Sequence, residues 1–232
     1  QNRQVETAFL PMYQLSYFPN NQNINGDQAY DKEVDALNQH TKADKVYIVC
    51  SKEQLDENGS MKIFSMIDKL SAELSVASDN ETKKRLLMRR AIAHSVLRDF
   101  EAAISDFTYY ISLDDKNSLA YWQRAVCQAE MDEFNKAEGK GVLNIHSAEA
   151  DFSDAIRQNS NNAYIYYNRG NLHAGRNELS KAIDDYTIAL RIDNRLAEAY
   201  YNRGIARAKS GNKQTAIQDL SKAGELGLYD AY

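Results

Sequence analysis

Ala163-Tyr164-Ile165-Tyr166-Tyr167-Asn168-Arg169-Gly170 returns, 34 residues later, as Ala197-Glu198-Ala199-Tyr200-Tyr201-Asn202-Arg203-Gly204. Ala182-Ile183-Asp184-Asp185-Tyr186 returns at the same interval as Ala216-Ile217-Gln218-Asp219-Leu220. A fixed period of this length is the mark of stacked supersecondary units. Carrying the register backwards gives four windows: 84–117, 118–162, 163–196 and 197–230. The second is longer than the others by 11 residues.

Each window reads as two antiparallel helices with a turn near its middle. Side chains that face each other within one window then sit at offsets summing to about 30. Small residues recur in the eighth place (Ala91, Ala125, Gly170, Gly204) and in the twentieth (Ala103, Ala148, Ala182, Ala216). They let the two helices approach. Larger residues in the fourth place (Leu87, Tyr121, Tyr166, Tyr200) and the twenty-fourth (Phe107, Phe152, Tyr186, Leu220) fill the space above them. A single hairpin cannot bury its outer apolar face, so neighbours must stack.

These residues, in register over 84–230, resemble the tetratricopeptide repeat (TPR). The Asn-Arg-Gly and Ala-Ile-x-Asp-Tyr wording resembles a bacterial subgroup of that family. Two departures stand out: the family's late Pro is missing throughout, and Arg replaces Leu in the seventh place. The resemblance implies a mostly α fold, an α-α superhelix of about four helical hairpins. It also implies a non-enzymatic scaffold that binds an extended protein or peptide segment in its concave groove. An alternative is a structural, self-assembling fragment of a larger bacterial envelope protein, and a third, less favoured reading is the recognition arm of an enzyme. The subgroup implies a setting in the bacterial cell envelope or outside the cell.

Ahead of the repeats, residues 1–58 read as a small α+β segment. Tyr13, Leu15 and Tyr17 alternate with polar residues, the period of a strand, and Pro11 splits Gln4–Phe18 into two short strands or an edge. Pro19–Asp27 reads as a loop. Tyr30, Val34 and Leu37 share one helix face, and Val46–Val49 is a short apolar strand. Asp56–Gly59 reads as a turn, and Ser60 as the N-cap of a capping helix over 61–77. The TPR domain as a whole is then 59–232, with that helix at its start.

The seventh and twenty-third places sum to 30, so each Arg should meet its own Asp: Arg90 with Asp106, Arg124 with Asp151, Arg169 with Asp185, Arg203 with Asp219. These read as structural ion pairs. Groove-facing offsets in the family are 2, 5, 6 and 9. They single out Trp122, Tyr167, Asn168, Asn171, Tyr201 and Asn202 as the peptide-binding candidates, aromatics for contact area and amides for an extended backbone. A clamp for an acidic C-terminal tail needs Lys and Asn where Met88 and Ile92 stand, which argues against that ligand.

No catalytic residues, metal ligands or cofactors are expected. Cys50 and Cys127 fit no metal spacing and read as free thiols, His94 and His173 read as packing residues, and His40 and His146 are isolated. The formal net charge of −5 argues against nucleic acid as a partner, and no apolar run is long enough to insert in a membrane. The 11-residue excess, near 138–147, reads as a longer inter-helix connection. The last window ends in Leu226, Leu228, Tyr229 and Tyr232 with no capping helix after it. A homo-oligomer through this C-terminal repeat is therefore expected.

Overall fold

The computed structural model describes residues 8–17, 32–39, 45–50, 55–140 and 147–228. The described elements are β1 (Gln14–Ser16), α1 (Lys32–Gln39), β2 (Tyr47–Val49), α2 (Glu57–Val76), α3 (Asn80–Val96), α4 (Phe100–Leu113), α5 (Ser118–Ala137), α6 (Ala148–Gln158), α7 (Ala163–Gly175), α8 (Leu179–Ile192), α9 (Ala197–Lys209) and α10 (Lys213–Glu225). The fold is mostly α, of the α-α superhelix class, with a two-stranded sheet near its start. The expected loop at Pro19–Asp27, Tyr30, His40, His146, Tyr229 and Tyr232 lie outside the described residues.

Two compact units are present. One holds Tyr13–Ser160; the other joins Gln1–Met12 to Asn161–Tyr232. In the first, β1 pairs antiparallel with β2, Leu15 opposite Ile48, and β1 also packs on α3 and α5. The period-two pattern buries Tyr13, Leu15 and Tyr17, while Val34 is the buried residue of α1. Asn38 on α1 holds the head of β2 twice: its Nδ2 donates to Val46 O, and its Oδ1 accepts from Val46 N. Among the described residues of this stretch, the strand is Gln14–Ser16, after Pro11.

Helix starts follow capping chemistry. Asp56, Asp79, Asp99, Asn117 and Asn162 each accept a hydrogen bond from a backbone amide in the first turn of α2, α3, α4, α5 and α7. This corrects the expected turn at Asp56–Gly59 and the expected cap at Ser60. Asp caps as well as Ser does and comes four residues earlier, so α2 gains a turn and Gly59 becomes the residue whose amide is capped. The excess of the second window is also not all connection: α5 runs 20 residues against 13 in α7 and in α9. A stretch without Pro and with Ala, Glu and Lys continues the helix at little cost.

The turn between the two helices of a hairpin holds one residue at positive φ: Arg98 (61°), Asn177 (61°) and Gly211 (90°), all at offset 15. Glycine adopts this conformation freely, Asn tolerates it, and Arg98 bears a steric cost.

Candidate peptide-binding site

The four Arg–Asp pairs form, each bidentate. Nε and Nη2 of Arg90, Arg124, Arg169 and Arg203 donate to the two carboxylate oxygens of Asp106, Asp151, Asp185 and Asp219 at 2.7–2.9 Å. In three of the four the remaining Nη1 reaches the preceding helix. Arg90 donates to Ser71 on α2 (3.0 Å), Arg124 to Thr108 on α4 (3.0 Å) and Arg203 to Thr187 on α8 (3.1 Å). One guanidinium therefore ties its own hairpin together and also ties it to its neighbour, a task the fork of Arg can do and a Leu cannot. The offset-four tyrosines lie beneath these cations: Tyr121, Tyr166 and Tyr200 rings sit 5.5–5.8 Å from Arg124, Arg169 and Arg203.

In the unit that holds α7–α10, residues 8–12 lie as an extended segment across the face made by α7 and α9. Leu10 is read through its main chain. Its N–H donates to Asn202 Oδ1 at 2.7 Å. Its carbonyl accepts from Asn171 Nδ2 at 2.9 Å and from Asn202 Nδ2 at 3.1 Å. The Tyr167 hydroxyl donates to Pro11 O at 3.0 Å and accepts from Asn202 Nδ2 at 2.9 Å. An extended residue turns its N–H and C=O to the same side, as in a strand. One carboxamide, with an acceptor and a donor, then satisfies both, so Asn202 acts as a neighbouring strand would. Beside it the Lys209 ammonium stands 4.5 Å from the centre of the Phe9 ring.

The amides are themselves aimed. Tyr186 donates its hydroxyl to Asn171 Oδ1 at 2.7 Å, leaving Nδ2 for Leu10. Burial pushes the Tyr186 phenol well above its ordinary range, so it stays a neutral donor. The ring reaches this place because residue 170 is glycine: a Cβ there would lie 2.7 Å from the ring. The small residue at offset eight thus serves the approach of a tyrosine, and through it the orientation of an amide.

Of the six candidates, the structure brings Tyr167, Asn171 and Asn202 together on Leu10 and Pro11. Asn168 is fully buried and Tyr201 half-buried on the same two helices. Trp122 lies in the other unit, where it is fully buried and β1 packs on its helix. There Gln123 was missed: its Oε1 accepts the N–H of Leu15 at 3.0 Å. Gln123 and Asn202 share offset six, so the register held the signal. Lys209 and residues 8–12 themselves carried no comparable mark. His94 contacts Asp99, and buried His173 contacts Glu178, which is held low mainly by that hydrogen bond. Burial pushes the Cys127 thiol up, and Cys50 and Cys127 are thiols, not a disulfide.

Residues 174–211 match a family model described as a TPR repeat. The chain carries tetratricopeptide repeats. No curated protein matches it. A crystal structure of MamA is 21% identical with a TM-score of 0.61, covering 77% of this chain and 99% of that one. MamA 41-end from Desulfovibrio magneticus RS-1 is 17% identical with a TM-score of 0.53, covering 71% and 94%. YrrB, described as a TPR protein with an unusual peptide-binding site, is 16% identical with a TM-score of 0.55, covering 73% and 80%. At these identities the TPR likeness is one of fold.

Proposed function

We propose that this TPR chain is a non-enzymatic scaffold that holds an extended protein segment across α7 and α9, with Tyr167, Asn168, Asn171, Tyr201 and Asn202 as the contact residues. The observation that carries this reading is the grip on Leu10, whose N–H and C=O are both satisfied by side chains of the repeats. A site that reads main chain can read any segment able to lie extended there. Addition of a synthetic peptide of residues 6–14 to the isotope-labelled full chain carrying Leu10→Pro, whose own segment no longer offers Asn202 an N–H, is expected to move the side-chain amide resonances of Asn171 and Asn202. In Asn202→Ala the Asn171 resonance should stay still. Shifts confined to other helices would place the binding face elsewhere.

A second reading, self-association through the C-terminal repeat, is favoured by α10. Ile217 is 65% exposed, while Ile183, its counterpart one period earlier, is half-buried. Ser221 stands where Thr187 of α8 receives Arg203. Sedimentation should show concentration-dependent association that Ile217→Lys removes. A strict monomer at high concentration would end this second reading and leave the first intact.

A further inference from the structure

The segment that occupies the α7–α9 face is Ala8-Phe9-Leu10-Pro11-Met12, uncharged and half-buried from Phe9 to Met12. Three features of it are matched by the repeats. Phe9 supplies a ring to the Lys209 ammonium, a contact that favours an aromatic there. Leu10 is read through its backbone. Pro11 brings no N–H that would need an acceptor, and a following proline confines Leu10 to the extended region in which its two backbone groups point the same way. Its carbonyl still receives the Tyr167 hydroxyl. A free peptide with this order loses less entropy on docking than one without proline.

We propose that the α7–α9 face selects partner segments with an aromatic residue two places before a proline, uncharged and extended, and that residues 8–12 are a built-in competitor which such a segment displaces. This rests on the reading of that face as a peptide site. The competitor is tethered, so its local concentration is of the order of millimolar. A partner segment binds the intact chain more weakly than the same site with the tether loosened. The neighbouring residues Tyr13, Leu15 and Tyr17 are buried in the other unit and stay in place when 8–12 leave.

Leu10→Pro in the full chain removes the N–H that Asn202 accepts and keeps all the groove side chains. Its affinity for a fluorescent peptide of residues 6–14 is expected to exceed that of the unaltered chain by about fivefold to tenfold, the value of one such hydrogen bond. Peptides carrying Phe9→Ala or Pro11→Ala should each bind Leu10→Pro about threefold or more weakly, and Leu10→Pro with Asn202→Ala should not bind. Should Leu10→Pro fail to fold, the full chain with Phe9→Ser and Pro11→Ala loosens the same tether by another route and should show the same gain. Equal binding of all three peptides would overturn the selection for an aromatic residue two places before a proline and leave the peptide site standing. No binding by either folded variant would overturn both. Equal affinity of the altered and unaltered chains would show that residues 8–12 do not compete.

Discussion

Residues 8–12 and 13–17 are consecutive, both extended, and each lies on first helices of TPR hairpins, yet they are held by different physics. The later stretch buries Tyr13, Leu15 and Tyr17, pairs with β2 and gives the Leu15 amide to Gln123. Its Tyr17 hydroxyl also donates to Arg89 O. The earlier stretch lies outside the described strands, remains half-exposed and is held by three polar side chains around Leu10. Apolar burial contributes several kcal/mol for a few side chains, whereas net hydrogen-bond contributions are about 1 kcal/mol each. The first stretch is therefore part of a core and the second is a docked segment. A repeat face can use the same offset-six amide for either purpose, depending on what surrounds it.

The comparison breaks most readily at the two leucines. Leu15→Ala is expected to cost about 2–5 kcal/mol, as for a fully buried Leu, while Leu10→Ala should cost less than about 1 kcal/mol because the main-chain grip survives and the side chain is only half-buried. Denaturant melts of the two variants measure the gap; equal losses would place both stretches in one core. Next in size is Asp185→Ala, which strands the Arg169 guanidinium and should cost on the order of 3 kcal/mol. Adding Arg169→Leu should recover much of that, and a coupling near zero in the double-mutant cycle would mean that the pair contributes nothing. Gly170→Ala drives a methyl into the Tyr186 ring. A loss of about 1–3 kcal/mol is expected, with a weakened hold on Leu10 because Tyr186 aims Asn171. At Gly204 a Cβ would meet mainly the flexible Leu220, so Gly204→Ala should cost less. The smallest effect sharpens the contrast from the other side. Arg98→Gly relieves the positive φ between α3 and α4 and should stabilise its unit by up to about 1 kcal/mol, leaving the hold on Leu10 unchanged in a peptide titration.

The repeats were legible because their chemistry is periodic. Offsets 7 and 23 named the four ion pairs, offset 8 named Gly170 and Gly204, and offsets 5, 6 and 9 named Tyr167, Asn202 and Asn171. What periodicity does not carry is where a non-repeating segment goes. Trp122 and Tyr167 share offset five and are both fully buried, yet it is Tyr167 that meets residues 8–12, and nothing in the repeat register announces which segment lies over which aromatic. The choice of Asp56 over Ser60 as a cap was a contest between near-equal residues. The continuation of α5 into the insertion reflects helix propensity where a loop was expected. Phe9 and Lys209 lie 200 residues apart, and no local pattern relates them.

The central claim is that residues 8–12 are docked reversibly while 13–17 belong to a core, and amide hydrogen exchange at Leu10 and Leu15 tests it most directly. The Leu10 amide should be protected through Asn202, should exchange by local opening many times faster than the Leu15 amide, and should lose its protection in Asn202→Ala. The Leu15 amide should exchange only when its unit unfolds and be indifferent to that substitution. Equal protection at the two amides, or a Leu10 amide unmoved by Asn202→Ala, would contradict the account.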